Sequence, residues 1–573
     1  MKIETLRHSL AHILATAVQE LYPGTKFGIG PAIENGFYYD FEFQKSLALE
    51  ELPKIEKKMK ELIKKNLRFI KKEITKQKAR TLFKSQPYKL ELIKELAELR
   101  SPKIIIYQVG DFIDLCRGPH LKSTKEINPD VFKLTKIAGA YWKGSERNPM
   151  LTRIYGIAFK TKKELENYLQ KEAEAEKRDH RILGQKLELF MFDEEVGAGL
   201  PLWMPKGEIL RYLIEEYLYQ ELKSQGYLWV KTPHIGNLKL WKTSGHWELY
   251  RENMYSPIKV ENEQYLLKPM NCPFHVKIYQ SKIRSYKNLP LKFAELGTVY
   301  RYEKSGVLHG LIRVRGFTQD DAHIWCTPEQ LSQELTELLK YSLKILKTFG
   351  FKDYEIYLST RPQKYAGTLK DWQKATNTLK YVLKKLKLKY QTDIGGGVFY
   401  GPKIDIKIKD SLGRPWQCTT IQVDFNLPEK FKITYIDQKG RKREPIMIHR
   451  ALLGSIERFI GILLEHYTGA LPLWLSPEQV WLIPVGRGHR KYAREVTYQL
   501  TKNGSRCRLR DENETVSKKI REGELQKIPY LLVVGDKEVK AKLVRVRKRG
   551  KGDLGPIKFS QFLEKIKIEI EKK

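Results

Sequence analysis

The sequence predicts a multidomain α+β protein, with an antiparallel-sheet domain between a smaller N-terminal α+β domain and a C-terminal α/β domain. The chain has 573 residues, 41% of them hydrophobic, which is enough for roughly three or four domains with cores of their own. Residues 292 to 326 read as two strands joined by a polar, glycine-containing loop at residues 304 to 310, which predicts an antiparallel pair. From residue 477 on, apolar strands such as VWLIPV and YLLVVG alternate with helical segments, a pattern typical of an α/β domain with a parallel sheet.

The N-terminal domain, predicted to span residues 1–160, starts with a helix over residues 1 to 24. This helix carries His8 and His12 four residues apart, so both rings project from one face. The next segment, FGIGPAIENGFYYDFEF, has an Asn-Gly turn between two alternating runs, which predicts a β-hairpin.

A second helix is predicted from Pro53, in PKIEKKMKELIKK, with its apolar residues on one stripe and its lysines on a solvated face. Extended segments over residues 104 to 114 follow and lead into DLCRGPH, where Cys116 and His120 are again four residues apart. Two pairs of metal-ligand residue types, HxxxH and CxxxH, therefore occur in this domain: His8, His12, Cys116 and His120. Together they resemble a four-ligand metal site.

A helical linker is predicted over residues 161–186, because KKELENYLQKEAEAEKRDHRILGQK favours a helix but is polar nearly all round. We place a domain boundary there. The central domain is predicted over residues 187–476 and the C-terminal domain over residues 477–573.

The central domain is predicted to begin with a helix over residues 206 to 225, which ends at Gly226. The strand YLWVKTP follows, and its Pro233 suits an edge strand or a strand end. A long helix near residues 329 to 349 comes after the predicted strand pair.

Two further segments of this domain contain chemistry-bearing residues. The glycine cluster GGGVFYGPK precedes the strand WQCTTIQVDF, in which Cys418, Thr420 and Gln422 share one face. The segment HRALLGSIERFIGILLEHYTG is predicted to be one amphipathic helix, with Gly454 and Gly461 allowing close packing against a sheet. Its inward residues are predicted to be Leu452, Leu453, Ile456, Phe459, Ile460 and Leu463.

The predicted strand pair has an unusually polar face. Arg301 and Glu303 share one face of the first arm, and Gln319, Asp321 and His323 share one face of the second. Such a face often simply contacts water in an antiparallel sheet. Here the surrounding sequence is apolar, so the face is interpreted as a ligand-binding surface.

The net charge of the chain favours a polyanionic partner. Lys and Arg number 105 against 68 Asp and Glu, a formal charge of +37, which fits nucleic acid or an anionic membrane surface. No apolar run reaches the roughly 18 residues of a membrane span, and the N-terminus has no signal-peptide pattern. A cytoplasmic protein that binds nucleic acid, without a membrane partner, is therefore expected. The five cysteines are scattered and odd in number, which disfavours a disulfide framework.

Three motifs resemble those of the threonyl-tRNA synthetase family of class II aminoacyl-tRNA synthetases, and the resemblance covers nearly the whole chain. They are the motif-1 helix with Pro233, motif 2 as YRYE with RVRGFTQDDAH, and motif 3 as LLGSIERF. Cys272 in KPMNCP, His323 in DDAH and His449 in IHRA resemble the family's zinc triad. Each of the three alone is more often an ordinary core residue. One thiolate and two imidazoles do form a sensible Zn²⁺ set, and three protein ligands leave an open position.

The resemblance implies an ATP-dependent ligase. It implies that the chain activates threonine to threonyl-adenylate, transfers it to tRNA(Thr) and hydrolyses Ser-tRNA(Thr), with one Zn²⁺ per chain and Mg²⁺ accompanying ATP. A zinc ion that coordinates the hydroxyl group of threonine would discriminate against valine, which has no hydroxyl group. Serine lacks only a methyl group, worth roughly 1–3 kcal/mol, so a second, hydrolytic site is expected.

The resemblance also assigns residue roles. Arg301 clamps the α-phosphate of ATP, Arg458 acts at the γ-phosphate end, and Glu303 holds the adenine amino group. Asp321 holds the amino group of threonine. The remaining pocket positions implied are Met270, Arg313, Gln319, Tyr400, Lys403, Gln417, Thr420, Gln422 and Ser455.

Two more sites follow from the resemblance. His8, His12, Cys116 and His120 match the editing site, with Lys89 and Asp114 near it. The family's editing reaction needs no metal there, so the resemblance and the bare ligand pattern disagree; we follow the resemblance. Glu538 and Arg547 match positions that read the anticodon, with a solvated salt bridge as the alternative.

The chain is expected to depart from the family in one respect, by lacking the small ubiquitin-like domain that usually precedes the editing helix. Motif 1 implies a homodimer. Two other functions are alternatives: a catalytically silent synthetase-like regulator that binds RNA, and a free-standing hydrolase of mischarged tRNA. Neither accounts for Arg301, Arg458 and the zinc triad occurring together.

Overall fold

The computed structural model describes residues 2–98, 103–145, 147–410 and 413–572. The chain forms two compact units, residues 1–174 and 175–573. Within the described residues, no helix is long and apolar enough to cross a membrane.

The first unit is an α+β domain. Its helices are α1 Ile3–Leu21, α2 Leu52–Lys64, α3 Lys76–Leu82 and α4 Pro87–Glu98, and α5 Lys162–Arg178 begins in it. Its strands are β1 Lys26–Phe27, β2 Ala32–Ile33, β3 Gly36–Glu42, β4 Ile70–Ile74, β5 Ile104–Val109, β6 Phe112–Leu115, β7 Phe132–Tyr141 and β8 Met150–Ala158. One antiparallel sheet has the order β1-β3-β8-β7 with β2 beside β3, and a second has the order β4-β5-β6.

Helix α1 lies at the centre of this unit. Ten of its apolar or small residues are buried, and it packs against α2 and the sheet in one continuous core. The predicted Asn-Gly hairpin is confirmed, because Ile33 pairs with Gly36 across the turn. The predicted stripe of α2 is also confirmed, with Ile55, Met59 and Leu62 buried.

The second unit contains the remaining elements. Its helices are α6 His180–Lys186, α7 Pro205–Ser224, α8 Leu238–Thr243, α9 His246–Leu249, α10 Cys272–Gln280, α11 Leu331–Thr348, α12 Leu369–Lys385, α13 Asn426–Lys430, α14 Ile456–Tyr467, α15 Arg490–Lys502, α16 Val516–Leu525, α17 Asp536–Ala541 and α18 Phe559–Glu571. Its strands are β9 Phe190–Met191, β10 Leu202–Trp203, β11 Leu228–Trp229, β12 Ile235–Asn237, β13 Ile258–Val260, β14 Glu263–Leu267, β15 Arg284–Ser285, β16 Leu291–Tyr300, β17 Gly316–Cys326, β18 Tyr354–Ser359, β19 Gln391–Asp393, β20 Lys403–Lys409, β21 Pro415–Asp424, β22 Tyr435–Ile436, β23 Lys442–Arg443, β24 Ile446–Ser455, β25 Val480–Pro484, β26 Cys507–Leu509, β27 Tyr530–Val534, β28 Leu543–Lys548 and β29 Gly552–Lys558.

An eight-stranded sheet of order β11-β16-β17-β24-β21-β20-β18-β19 organises the central domain. Its pairs are antiparallel except at the two edges, where β11 and β19 each run parallel to a neighbour. One face packs on α7, α11, α12 and α14 in the main core, and the other face forms the candidate site. The short strand β11 lies at the edge, as Pro233 predicted.

The prediction that residues 449–469 form one amphipathic helix is wrong. Residues up to Ser455 form the end of β24, and the helix α14 begins at Ile456. Leu452 and Leu453 are buried, as expected, but from a strand that is paired on both sides, which overrides the helical pattern. Gly454 adopts a positive φ of 85°, which suits the turn from strand to helix.

Two further expectations need correction. The first arm of the polar hairpin ends at Tyr300, so Arg301 and Glu303 lie in the loop after it and do not share a strand face. The sheet of the C-terminal domain, of order β26-β25-β27-β28-β29, is mixed, because its last two strands pair antiparallel. The sequence pattern predicts strands connected by helices throughout this domain, whereas a short turn joins the antiparallel strands β28 and β29.

Candidate active site and metal centre

A cavity of about 370 Å³ opens on the sheet face formed by β17, β21 and β24. It is lined by most of the residues that the sequence predicts for substrate, ATP and metal: Met270, Cys272, Arg301, Gln319, Asp321, His323, Tyr400, Lys403, Gln417, Thr420, Gln422, His449, Ser455 and Arg458. Eight of these residues lie on β17, β21 and β24, and the others come from neighbouring segments, so the fold brings together residues from distant parts of the sequence. Tyr250, Phe317, Val398, Cys418 and Arg450 also line the cavity, and the sequence analysis assigned them no place there.

Two arginines face the cavity without a carboxylate partner. The Nε of Arg301 donates to the Pro269 carbonyl at 3.2 Å, and its guanidinium lies 5.0 Å from the ring centroid of Phe317. The Nε of Arg458 donates to the Ile312 carbonyl at 3.0 Å. Burial lowers the pKa of Arg458, and the nearby positive charge of Arg301 adds to this effect. Within the described residues neither guanidinium forms an ion pair, so the cavity favours an anionic ligand.

Glu303 and Arg313 lie outside the cavity wall. The Nε of Arg313 donates to Glu303 at 3.0 Å, and the Arg313 side chain is half exposed. In this arrangement each neutralises the other, and neither is among the residues that line the cavity.

The cavity floor is a network of hydrogen bonds around one buried carboxylate that the sequence analysis did not single out. Asp405 accepts from the Nε2 of Gln417 and the hydroxyl of Thr420, both at 2.8 Å, and it pairs with Lys403 at 2.7 Å. Lys403 and Asp405 are two residues apart on one strand, so the strand pattern could have indicated the pair. The network holds these side chains in fixed orientations toward the cavity.

A second contact set positions the other polar residues of the floor. The Nδ2 of Asn271 donates to Asp321 at 3.1 Å, and the hydroxyl of Tyr400 donates to Gln422 at 2.6 Å. Asp321 also lines the cavity. Burial raises the pKa of Asp321, and the hydrogen bond from Asn271 partly opposes this.

Cys272, His323 and His449 form a compact cluster in the same cavity, with their ligand atoms all within 4.8 Å of one another. The Nε2 of His323 lies 3.0 Å from the Nδ1 of His449. All three side chains are buried, and burial raises the pKa of the Cys272 thiol.

The hydrogen bonds behind the cluster show that its residues fit a metal ion. The outer nitrogen of His449, Nε2, lies 2.9 Å from Asp424, whose other oxygen accepts from the N–H groups of Asn426 and Leu427. An ionised carboxylate can only accept, so Nε2 of His449 carries the proton and Nδ1 presents a lone pair to the cluster. A carboxylate behind a ligand histidine is typical of zinc sites, in which three ligands leave an open position.

A second cluster lies in the first unit, where α1 meets the segment after β6. The Sγ of Cys116 lies 3.3 Å from Nε2 of His8 and 3.2 Å from Nε2 of His120. The ring of His12 lies 4.1 Å from that of His120, so the four predicted residues are brought together. The cluster is partly open, since only His12 is fully buried.

The protonation state of this cluster follows from burial. Burial lowers the pKa values of His8, His12 and His120, so the imidazoles are neutral at physiological pH. Burial raises the pKa of Cys116 to about 12, so the thiol keeps its proton. Neutral imidazoles and a thiol can orient a water molecule or a hydroxyl group by hydrogen bonding.

A buried ion pair lies beside the cluster. Lys89 pairs with one oxygen of Asp114, whose other oxygen accepts from Tyr39 at 2.6 Å and lies 3.5 Å from Nε2 of His12. Lys89 also donates to the Tyr39 hydroxyl at 3.1 Å. The alternation of β3 places Tyr39 on the core face with Phe37 and Phe41, and this pattern could have indicated Tyr39 from the sequence.

In a third group of ligand-type residues, Asp179, His180 and Glu465, the imidazole has no free lone pair to offer a metal. The Nδ1 of His180 lies 2.7 Å from Glu465, and its Nε2 accepts from the backbone N–H of Leu311 at 3.0 Å. Both ring nitrogens are therefore used, and this contact anchors the loop after β16.

The two predicted anticodon residues have separate partners in the C-terminal domain. The carboxylate of Glu538 accepts from the N–H of Gly535 at the start of α17, at 3.0 Å. Arg547 lies 3.5 Å from Glu524 and 4.0 Å from Asp553. The alternative of a salt bridge between Glu538 and Arg547 does not match these contacts.

Comparison with family models defines the class of protein. The model described as "tRNA synthetase class II core domain (G, H, P, S and T)" matches residues 255–467, which contain the cavity and all three residues of the metal cluster. "Anticodon binding domain" matches residues 479–569, and "Threonyl and Alanyl tRNA synthetase second additional domain" matches residues 104–155. Fold and site together define a class II aminoacyl-tRNA synthetase.

Comparison with individual proteins identifies the family within this class. The chain is 54% identical over 576 residues to a threonine--tRNA ligase of Sulfurihydrogenibium sp. (strain YO3AOP1), covering 100% of this chain and 89% of that protein. It is 53% identical over 576 residues to the threonine--tRNA ligase of Aquifex aeolicus (strain VF5), covering 100% of this chain and 90% of that protein. The crystal structure of the RNA binding domain of threonyl-tRNA synthetase from Cryptosporidium parvum Iowa II has a TM-score of 0.66 at 40% identity, covering 68% of this chain and 98% of that one. The chain belongs to the threonine--tRNA ligase family.

Proposed function

We propose that this chain joins L-threonine to tRNA(Thr) at the expense of ATP in the cavity of the second unit, and removes serine from Ser-tRNA(Thr) at the cluster of the first unit. The observation that carries the first part is one cavity that holds two unpaired arginines and a Cys-His-His cluster. A protein that only binds RNA has no use for that combination. The rival function, a catalytically silent regulator, has no observation in its favour.

The arginines are proposed to bind and stabilise phosphate charge. When the threonine carboxylate attacks the α-phosphate, negative charge builds up on the phosphoryl oxygens, and a fixed guanidinium such as Arg301 stabilises it. Arg458 is proposed to hold the γ-phosphate end from α14, where the Ser455 hydroxyl accepts from its backbone N–H at 3.1 Å. Mg²⁺ is proposed to accompany the ATP.

Glu303 and Arg313 are proposed to act from the loop above the cavity. Their mutual ion pair means that Glu303 has to release Arg313 before it can accept from the adenine amino group. Its free carboxylate oxygen and the partly exposed loop support this role. The role of Glu303 in binding adenine is tested with Glu303→Gln. This variant should raise the KM for ATP and leave the KM for threonine unchanged.

The metal cluster is proposed to select the amino acid. Bound there by Cys272, His323 and His449, one Zn²⁺ per chain would accept the amino and hydroxyl groups of threonine as further ligands. Asp321 is proposed to orient the amino group, and Gln422 and Tyr400 to close the pocket around the methyl group.

Threonine-dependent exchange of pyrophosphate into ATP tests the first half of the proposal. Exchange should be fastest with threonine, measurable with serine and very weak with valine, because valine has no hydroxyl group. Cys272→Ser should lose tightly bound zinc and exchange together. Absence of exchange with every amino acid, in a folded protein that binds tRNA, would favour the silent regulator.

The editing reaction is proposed to need no metal. The neutral imidazoles of His8 and His120, the Cys116 thiol and the terminal ribose of the tRNA would orient a water molecule against the seryl ester. The buried Lys89–Asp114 pair is proposed to hold one wall of this site.

Deacylation of preformed Ser-tRNA(Thr) by the full chain tests this half, because it does not depend on activation. The reaction should continue in the presence of a chelator, and Thr-tRNA(Thr) should survive. Loss of activity in chelator that Zn²⁺ restores would favour the four-ligand metal site instead. No deacylation in either condition would mean that this unit does not proofread.

The partners proposed beyond the substrates are a second copy of the chain and the anticodon of the tRNA. Exposed apolar residues on α7 and on the edge strands β11 and β12 support a homodimer: Ile209, Tyr212, Tyr219, Leu228 and Ile235. Light scattering on the purified chain should give twice the mass of 67.2 kDa.

Glu538 and Arg547 are proposed to contact the anticodon. The enzyme is proposed to act in the cytoplasm.

A further inference from the structure

A buried chain of hydrogen bonds runs outward from His323, the metal-cluster histidine on β17. The Nδ1 of His323 lies 2.8 Å from the Nδ1 of His275, and the Nε2 of His275 lies 3.0 Å from a carboxylate oxygen of Glu295. His275 is on α10, three residues after Cys272, and Glu295 is on β16. All three side chains are essentially inaccessible to solvent.

Glu295 is fixed as an ionised acceptor. It accepts from the backbone N–H of Thr232 at 2.8 Å and from the Thr232 hydroxyl, and it lies 3.5 Å from the ammonium group of Lys268. Lys268 in turn donates to the Thr232 hydroxyl at 2.7 Å. Burial alone would raise the pKa of Glu295, but His275, Lys268 and the Thr232 N–H group lower it to about 2.

The position of each proton along this chain follows from the acceptor at its end. An ionised carboxylate accepts only, so Nε2 of His275 carries a proton, and in the tautomer with a single ring proton its Nδ1 accepts. The Nδ1 of His323 must then donate, which leaves its Nε2 as a lone pair. That atom is the one that faces Nδ1 of His449, 3.0 Å away.

We propose that His275, held by Glu295, is a positioning residue that sets the tautomer and ring orientation of His323 and thereby the metal affinity of the cluster. His449 has a carboxylate, Asp424, directly behind it, whereas the Nδ1 of His323 is linked to the carboxylate of Glu295 through a second imidazole. Outer partners of this kind change metal affinity by about 10–100-fold when they are removed. The inference rests on the proposed metal site at Cys272, His323 and His449.

Amide substitutions separate this role from simple packing. In His275→Asn the amide group occupies the place of Nδ1 and can still accept from His323. In His275→Gln the amide group reaches toward Glu295 and loses the contact with His323. If His275 only fills space, the two variants should have similar zinc affinities. If His275 controls the tautomer of His323, the Asn variant should bind zinc more tightly than the Gln variant.

The experiment measures the rate and affinity of zinc binding by the full chain with a chromogenic chelator, and the visible absorption of the Co²⁺-substituted protein. His275→Ala and His275→Gln should weaken zinc binding about 10–100-fold and change the Co²⁺ spectrum. His275→Asn should stay closer to the wild type in both readouts. His180→Ala is the matched control, because it also deletes a fully buried imidazole paired with a carboxylate and should leave zinc affinity unchanged.

The outcomes separate the two proposals. Wild-type protein that binds no zinc, or Cys272→Ser that keeps it, overturns the metal site itself. A wild type that binds one zinc, together with His275 variants that all bind as tightly, overturns only the role of His275. If His275→Ala does not fold, the Asn and Gln variants decide, and equal affinities of the two overturn the inference.

Discussion

The buried ion pair of the editing unit should be expensive to break. Lys89 and Asp114 are 2% and 3% exposed, and Asp114 also accepts from Tyr39. Asp114→Asn keeps the shape of the side chain but leaves the ammonium group of Lys89 buried without an opposite charge. Removing one partner of a buried pair costs about 3–5 kcal/mol.

A loss of this size is a large share of the stability of one domain, about 5–15 kcal/mol. The first unit of Asp114→Asn should therefore unfold at a much lower urea concentration, while the second unit is unaffected. Hydrogen exchange measured by mass spectrometry at increasing urea resolves the two units by peptide. Deacylation of Ser-tRNA(Thr) should fall, and threonine-dependent exchange should persist.

Two comparisons make the argument refutable. Glu73→Gln removes an exposed pair with Lys103, whose atoms lie 3.3 Å apart, and should cost less than about 1 kcal/mol. The double variant Lys89→Met, Asp114→Asn removes both buried charges and should be more stable than Asp114→Asn alone. If the double variant is no more stable, or if Asp114→Asn costs no more than Glu73→Gln, the reasoning from buried charge is wrong.

Three other predictions follow from the same geometry. Arg301→Ala should lower the rate of threonine activation by about 10²–10³-fold with little change in ATP binding, because its guanidinium stabilises charge that develops in the transition state; a change in KM alone would contradict this. His8→Ala should leave threonine activation unchanged while Ser-tRNA(Thr) accumulates in a combined aminoacylation and editing assay, and unchanged proofreading would remove His8 from the site. Because burial lowers the folded-state pKa values of His8, His12 and His120, the first unit binds fewer protons folded than unfolded, so its stability should be fully present above about pH 6.5 and fall on acidification. Urea midpoints of that unit at pH 7.5 and 5.5 check this, and an equal or higher midpoint at pH 5.5 refutes it.

Much of the fold was predictable from local patterns. The helix α1, the Asn-Gly hairpin and the strands β16 and β17 follow from periodicities of 3.6 and 2, which burial of one face enforces. The strand β24 was missed because an apolar run between two other strands shows no alternation that distinguishes it from a buried helix. The pairing partners that decide the matter are distant in sequence.

The candidate site was predictable only where a motif or a family resemblance joined its residues. Cys272, His323 and His449 are far apart in the sequence, and no local spacing connects them. The residues behind them, His275 and Asp424, were missed for the same reason. The role of a buried polar side chain depends on the group that it contacts, and that contact is known only from the three-dimensional structure.

The metal cluster depends on the register of the central sheet. His323 and His449 are direct partners across β17 and β24, so their rings meet because the strands pair as they do. Between Gln319 and Asp321 the register shifts, and residues of β24 opposite the shift lose ladder partners.

Asp320, which lies at that shift, provides the missing acceptors. Its buried carboxylate accepts from the backbone N–H groups of Leu452, Leu453 and Gly454. A slip of one residue would turn either histidine to the opposite face of the sheet. The carboxylate of Asp320 therefore stabilises the arrangement of Cys272, His323 and His449 indirectly. It accepts from the N–H groups that the register shift leaves without strand partners, and this shift sets the register of His449 against His323.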